Sequence, residues 1–117
     1  MMKIKNGYVV KITASSDMAT VLKTNSDLSL EFLQKQVGGL IQVIKTDFPK
    51  VLMILDEEGK LKRKRVNLTA TNIGNLPLYD CIVGDVLLVK DKGTDMAVFT
   101  EEEANELMNE LSRCSDE

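Results

Sequence analysis

The sequence predicts an α+β fold: a mainly antiparallel sheet of about five to six strands with a short central helix and a C-terminal amphipathic helix. Two stretches, residues 28–37 and 100–111, carry apolar side chains at helical spacing. Elsewhere, short apolar or alternating segments are separated by turn residues, which is typical of antiparallel strands. A chain of 117 residues has the ordinary size of one domain, so we expect a single domain over residues 1–117.

The first predicted element is a β-hairpin. Polar and apolar residues alternate in residues 7–13 and again in residues 18–23. The sequence Ala-Ser-Ser-Asp between them has the length and composition of a hairpin loop. One face of each strand is more apolar than the other, so we expect an antiparallel pair with one face on the core.

Residues 26–46 predict a short helix that is followed directly by a strand. The polar residues 25–27 (Asn-Ser-Asp) are candidate caps for the first turn, and apolar residues recur at helical spacing between Leu30 and Val37. Gly38 suits the left-handed conformation that ends a helix. The Leu-Ile-Gln-Val-Ile run that follows has few polar positions, which predicts a strand in the centre of the sheet.

The middle of the chain predicts two more strands. Residues 51–55 are apolar on both faces and are the natural partner of the preceding strand. The Asp-Glu-Glu-Gly sequence at residues 56–59 predicts a solvated turn rather than a calcium loop, because calcium needs about six oxygen ligands in a longer spaced pattern. Residues 60–66 are expected to return as a third strand.

Residues 67–75 fit two interpretations, a short helix capped by Asn67 and closed near Gly74, or a loop or strand. Residues 80–89 predict a strongly apolar strand, in which Gly84 marks a bulge or a close backbone approach. A polar loop over residues 90–97 is then expected.

Capping signals at its N-terminus predict the last helix. Thr100 and Glu103 have the spacing of a capping box, and Phe99 can pack on Ala104 as a hydrophobic staple. An apolar stripe continues to Leu111, so one face of the helix is expected to dock on the sheet.

The composition lowers the expectation of catalysis. The sequence contains no histidine, which removes the commonest general base and the commonest metal ligand. We therefore expect no enzymatic activity, no cofactor and no metal, although carboxylate or lysine chemistry stays open. Cys81 is expected to be a small core residue and Cys114 an exposed thiol, both free in a cytoplasmic protein. No apolar run approaches the ~20 residues that cross a bilayer, so we expect no membrane partner.

The charge is divided along the chain. From residue 101 onward there are seven acidic residues and one arginine, a net charge of −6, so the remainder carries +3 of the total −3. Five of the cations fall within residues 60–65. Such a cluster either protects a sheet edge from aggregation or contacts phosphates or an acidic protein surface. No aromatic residue interleaves it, so it offers no platform for base stacking.

Several motifs resemble, in order, those of a bacterial and phage family of small proteins classed as a domain of unknown function. They are LQKQVGGLIQVI, DEEGKL, VNLTAT, CIVGDVLLV and FTEEEANEL, spanning about residues 28–111. Leu-Gln-x-x-Val-Gly-Gly and Val-Gly-Asp are the most specific of them. Before Asn67 the pattern departs, since KRKRV stands where the family has a Leu-Pro type segment. The resemblance implies a compact α+β fold and a setting on prophages or conjugative elements.

Three function hypotheses follow. The first is a non-enzymatic interaction module that binds a protein partner or self-associates, as a phage or mobile-element accessory protein that blocks or sequesters a host partner would. The second is nucleic-acid binding through residues 60–65. The third is a nucleotide-binding or small-molecule-binding protein of the sequestering kind. Its candidate polar contacts are Lys62, Arg65, Asn67, Thr69 and Thr71. The candidate binding residues are Lys60, Lys62, Arg63, Lys64, Arg65, Asn67, Thr69 and Thr71.

Overall fold

The computed structural model describes residues 6–16, 18–25, 28–77 and 79–115. Its elements in chain order are β1 (Asn6–Ile12), β2 (Ala19–Asn25), α1 (Leu30–Val37), β3 (Ile41–Lys45), β4 (Val51–Asp56), α2 (Leu68–Ile73), β5 (Val86–Asp91), β6 (Met96–Ala97) and α3 (Glu101–Ser115). The predicted α+β class, with a six-stranded antiparallel sheet and a C-terminal helix, is confirmed.

The sheet has the strand order β2-β1-β5-β4-β3, and the short β6 pairs with β5. The predicted hairpin is β1 and β2, in which Val10 faces Val21 across the pair. The predicted pairing of the next two strands is also present, with Val43 of β3 opposite Ile54 of β4. The strand β5 then inserts between these two hairpins, and this joins them into one sheet.

Both faces of the sheet are covered. Successive side chains of a strand point to opposite faces, and β5 is buried on both, with Leu87 and Leu88 fully inaccessible to solvent. Leu87 packs with α1 residues Leu33 and Val37 on one face. On the other face, Leu88 belongs to a larger cluster that includes residues of α2 and α3. The sheet is therefore the middle of three layers.

The helix α1 begins and ends at identifiable caps. Ser29 is the N-cap, and its hydroxyl accepts a 3.1 Å hydrogen bond from the Phe32 N–H. Gly38 ends the helix with a left-handed φ of 82°, as predicted. The predicted cap in residues 25–27 is corrected, because Asn25 belongs to β2 and the helix starts three residues beyond that segment. Residues 26 and 27 lie outside the described part of the chain.

The capping box of α3 is present. The Thr100 hydroxyl accepts from the Glu103 N–H at 3.1 Å, and the Glu103 carboxylate accepts from the Thr100 N–H at 2.9 Å. Glu103 also pairs with Lys90 at 2.8 Å, and this contact, followed by the Thr100 N–H, lowers the pKa of the Glu103 carboxyl. Phe99 and Ala104, the predicted staple, are buried in the same cluster. The start of α3 is thereby fastened to β5.

The prediction that the Leu-Ile-Gln-Val-Ile run is a central strand is wrong. β3 lies at the edge of the sheet, paired with β4 alone, and Gln42 and Val43 are exposed. The centre is occupied by β5, whose Val-Leu-Leu-Val stretch is buried throughout. Because both sequences are apolar runs of similar length, the pattern did not distinguish the strand with two neighbours from the strand with one.

Two other segments differ from their predictions. Residues 60–66 form turns and irregular backbone rather than a strand, with only an isolated bridge between Val66 and Val83. Residues 80–85 are also irregular, so β5 begins at Val86 and runs on to Asp91, inside the predicted loop. Among the described residues, no helix is long and apolar enough to cross a membrane.

Leu88→Ala is expected to destabilise the fold by about 2–5 kcal/mol, because it removes a fully buried side chain between β1 and β4. Urea unfolding measures the free energy. Leu30→Ala, at a position 58% exposed, is the control and is expected to change it by less than about 0.5 kcal/mol. Equal effects of the two substitutions would contradict the assigned core.

Candidate functional site

The segment 57–66 folds as a series of turns around the carboxylate of Asp56, which is only 3% exposed. One carboxylate oxygen accepts a 2.9 Å hydrogen bond from the Glu58 N–H, and the Asp56 carbonyl accepts from the Gly59 N–H at 3.1 Å. The other carboxylate oxygen pairs with the ammonium groups of Lys62 at 2.8 Å and Lys64 at 2.7 Å. The expected solvated turn is therefore built on a buried, paired charge.

The same two lysines hold the end of α1. Lys62 donates to the Gly38 carbonyl at 3.1 Å, and Lys64 donates to the Val37 carbonyl at 2.7 Å. The last carbonyls of a helix lack partners within the helix and carry its negative end, so lysine is a favourable partner there. We call Asp56, Lys62 and Lys64 the lysine clamp. It joins β4, α1 and the segment 57–66.

The position of the Lys64 side chain explains why residue 84 is a glycine. Gly84 has a φ of +80°, and a Cβ atom there would lie 2.8 Å from Cδ of Lys64. The Gly84 N–H also donates to the Arg65 carbonyl at 2.7 Å, which holds the two backbones side by side. The sequence predicted either a bulge or a close backbone approach at Gly84. The structure shows a close approach, in which the Lys64 side chain packs against this glycine.

The clamp also sets the ionisation of its carboxylate. Burial opposes the charged form of Asp56, but the hydrogen bonds from Lys62 and Lys64 outweigh burial and lower its pKa to about 2. Asp56 consequently stays ionised through the whole neutral and mildly acidic range. Its charge is available to the two lysines whenever the protein is folded in that range.

The remaining cations of the predicted cluster differ from one another. Lys60 pairs with Asp80, and this contact raises the pKa of the lysine and lowers that of the carboxyl. Arg63 and Arg65 are exposed, and neither side chain makes an ion pair within the described part of the chain. The five cations therefore do not form one uniform patch, and the nucleic-acid hypothesis for residues 60–65 rests mainly on the two arginines.

Asn67 is a structural residue. It is fully buried, caps α2 by accepting from the Ala70 N–H at 3.0 Å, and donates to the carbonyls of Ile12 and Gly84 at 3.0 and 2.9 Å. This confirms the helical interpretation of residues 67–75, which α2 and its closing Gly74 occupy. The amide has no exposed atom to offer a ligand.

The two threonines of the predicted set lie on α2. The Thr71 hydroxyl donates to the Asn67 carbonyl at 2.8 Å and accepts from the Ile82 N–H at 2.9 Å. Thr69 is half-buried on the same short helix. The nucleotide hypothesis stays a prediction, but Asn67 and Thr71 are engaged within the fold.

Two concave surfaces flank the segment 57–66. The first, which we call the β3 groove, has a volume of about 270 Å³. Its lining mixes apolar side chains, among them Ile44, Leu55 and Leu61, with charged ones. The polar and charged lining residues are Gln42, Asp56, Glu57, Lys60 and Asp80. Cys81 is half-buried at this groove rather than inside the core, and the side chain of Cys114 lies outside the described residues.

The second surface, which we call the α1 cleft, has a volume of about 460 Å³ and lies beside the end of α1. Its charged lining consists of Lys11, Lys35, Lys64, Arg65 and Asp85. Lys11 and Lys35 were missed in the sequence, because they are far from the basic cluster in the chain. No cluster of three or more potential metal ligands occurs among the described residues.

The fold and these surfaces define a small three-layer α+β protein with a clamped turn between two concave faces. The sequence profile described as "Domain of unknown function (DUF3846)" matches residues 5–112, and the chain belongs to this family. The family membership confirms the expected domain-of-unknown-function relationship. No curated protein and no solved structure matches the chain.

Asp56→Asn is expected to lower the free energy of unfolding at pH 7 by about 3 kcal/mol, because two lysines lose a buried partner. The folded pKa of about 2 lies below the ordinary 3.8, so the charge stabilises the fold above pH 3.8 and this contribution is lost as the pH falls toward 2. The wild-type and variant stabilities should therefore converge over that range in urea unfolding. Asp80→Asn, which removes an exposed pair, is the control, and a constant difference between wild type and Asp56→Asn would contradict the assignment.

Asn67→Ala is expected to cost about 2–4 kcal/mol, since it leaves two buried carbonyls and one N–H without their partner. Asn72→Ala changes the same residue type at an exposed position of α2 and is expected to be nearly neutral. Thermal unfolding of the two variants tests this, and similar midpoints would refute the structural role of Asn67.

Proposed function

We propose that this protein is a non-enzymatic binding module that captures an extended segment of a partner protein along β3. The observation that carries the proposal is a short open sheet edge beside a partly apolar groove. Given the resemblance to small proteins of prophages and conjugative elements, we further propose that capture blocks or sequesters a host protein in the bacterial cytoplasm.

The open edge is defined by the hydrogen bonds of β3. The Asn75 N–H donates to the Lys45 carbonyl at 3.1 Å, so the peptide groups of Lys45 point away from β4. Because this direction alternates along a strand, those of Val43 and Ile41 also point away from β4. In the described part of the chain, no strand pairs with these two residues on that side. They supply donors and acceptors for one added strand.

The covered end of β3 limits how a partner can pair. Thr46 and Gly74 form an isolated bridge, so residues 74 and 75 occupy the edge beyond Lys45. If a second copy of β3 paired antiparallel with the first and centred on Val43, Leu40 of each copy would lie opposite Thr46 of the other. It would then collide with residues 74 and 75, which cover that part of the edge. A flexible peptide that pairs only with Ile41 and Val43 avoids the conflict, which favours a peptide over self-association.

The groove supplies the apolar part of the contact. Side chains of Gln42 and Ile44 project from β3 into its lining, so a strand added beside them places alternate side chains toward the same space. Leu61 borders the groove and is 81% exposed. A volume of about 270 Å³ suits one large apolar side chain. Main-chain hydrogen bonds to β3 and one apolar side chain in the groove would then both contribute to binding.

Two features support binding without catalysis. The sequence has no histidine to act as a general base at neutral pH. The buried carboxylate of Asp56 is held at a pKa of about 2 by two lysines, which makes it a poor proton acceptor.

The test is selection of a displayed library of random twelve-residue peptides on the purified protein. Enriched peptides are expected to carry one large apolar residue within an alternating pattern. Val43→Pro removes an outward-facing N–H while leaving the bonds to β4, and should weaken the selected peptides by about tenfold. Leu61→Ser should also weaken them, whereas Leu30→Ser, at an exposed apolar position on α1, should not.

Circular dichroism and light scattering complete the experiment. Folded Val43→Pro that binds the selected peptides as well as wild type would refute strand capture. A wild-type dimer that Val43→Pro converts to a monomer would replace the partner peptide with self-association. Failure to enrich any peptide would also count against the proposal.

A further inference from the structure

The α1 cleft collects cations from parts of the chain that are distant in sequence. Lys11 comes from β1, Lys35 from the last turn of α1, and Lys64 and Arg65 from the end of the segment 57–66. Asp85 is the one carboxylate that lines the cleft among the described residues. Four positive charges therefore face one negative charge, a net charge of +3 in the cleft lining.

Two of the four cations are already positioned by protein contacts. Lys64 is held by Asp56 and by the end of α1. Lys11 donates to the Gln36 side chain at 3.1 Å and lies 3.8 Å from Asp85. The side chains of these two lysines are only 23% and 22% exposed, respectively. They form a preorganised positive floor.

The other two cations remain available to a ligand. Lys35 and Arg65 are exposed, and neither makes an ion pair within the part of the chain that the structure describes. They belong to different elements, so an anion between them would join the end of α1 to the segment 57–66. Arg65 adds a planar group that can donate two hydrogen bonds to one phosphate.

The negative groups near the cleft are compensated. Asp85 accepts from the Ala14 N–H at 3.0 Å and faces Lys11, while the Val37 carbonyl accepts from Lys64. An entering anion would consequently meet paired carboxylate and carbonyl groups and unpaired cations. The volume of about 460 Å³ exceeds the needs of a single phosphate and lies in the range of small-ligand sites.

We propose that the α1 cleft is a binding site for a phosphate-bearing ligand, with Lys35 and Arg65 closing on the phosphate over Lys11 and Lys64. The site lies on the opposite side of the segment 57–66 from the β3 groove, and its occupation does not depend on capture of a peptide. Phosphate groups are common to inorganic polyphosphates, nucleotides and nucleic-acid backbones, and the cleft recognises this shared chemistry.

The test is calorimetric titration of the full chain at low salt with pyrophosphate, with adenosine triphosphate and with a twelve-nucleotide single-stranded DNA. Saturable binding of at least one probe is expected, weakening as salt is raised. Pyrophosphate binding as tight as that of the nucleotide identifies phosphate alone as the determinant. Tighter binding of the nucleotide than of pyrophosphate shows that the nucleoside also contributes. Tighter binding of the DNA shows that the cleft recognises a polymer backbone.

The variant Lys35→Gln/Arg65→Gln is expected to lose at least about tenfold in affinity, because it removes two charge-assisted contacts. Lys23→Gln/Lys92→Gln changes the net charge by the same amount at exposed positions away from the cleft, and should bind within about twofold of wild type. Unfolding midpoints confirm that both variants are folded. Equal losses in the two variants, or no saturable binding of any probe, would overturn the proposal.

Discussion

The ion pairs of Asp56 with Lys62 and Lys64 are the contact on which the local architecture depends. They fix the segment 57–66, which has no regular secondary structure. Because this segment is rich in lysine and arginine, it would otherwise extend into the solvent. That segment forms a wall of both concave surfaces, since Leu61 lines the β3 groove and Arg65 lines the α1 cleft. One buried charge therefore positions two surfaces of different chemistry, one partly apolar and one basic.

The sheet explains why the two surfaces stay separate. β5 is buried on both faces and lies between the two hairpins, so it carries the largest share of the interior. The helix α1 covers one face, while α2 and α3 cover the other. The edge strand β3 receives less cover, and its side chains Gln42 and Val43 are exposed. None of the residues that line the β3 groove belongs to a helix.

The sequence predicted correctly those features that depend only on residues close together in the chain. The capping box at Thr100, the left-handed Gly38 and the first hairpin depend on neighbouring residues, and each is present. The order of the strands depends on long-range pairing, so an apolar run alone did not place β3 at the edge. The role of Asp56 was hidden for the same reason, because its lysine partners meet it only when the segment 57–66 folds back on α1.

The acidic face of α3 has a consequence for how the molecule meets charged partners. Its exposed Glu102 and Glu106 lie on the layer opposite α1, where the cations of the α1 cleft are found. Such a separation gives the protein an electric dipole across its thickness. Within about one Debye length, roughly 8 Å at physiological ionic strength, an approaching polyanion would rotate the molecule so that α1 leads and α3 trails. The molecule would thus be oriented before contact, and added salt would weaken this effect.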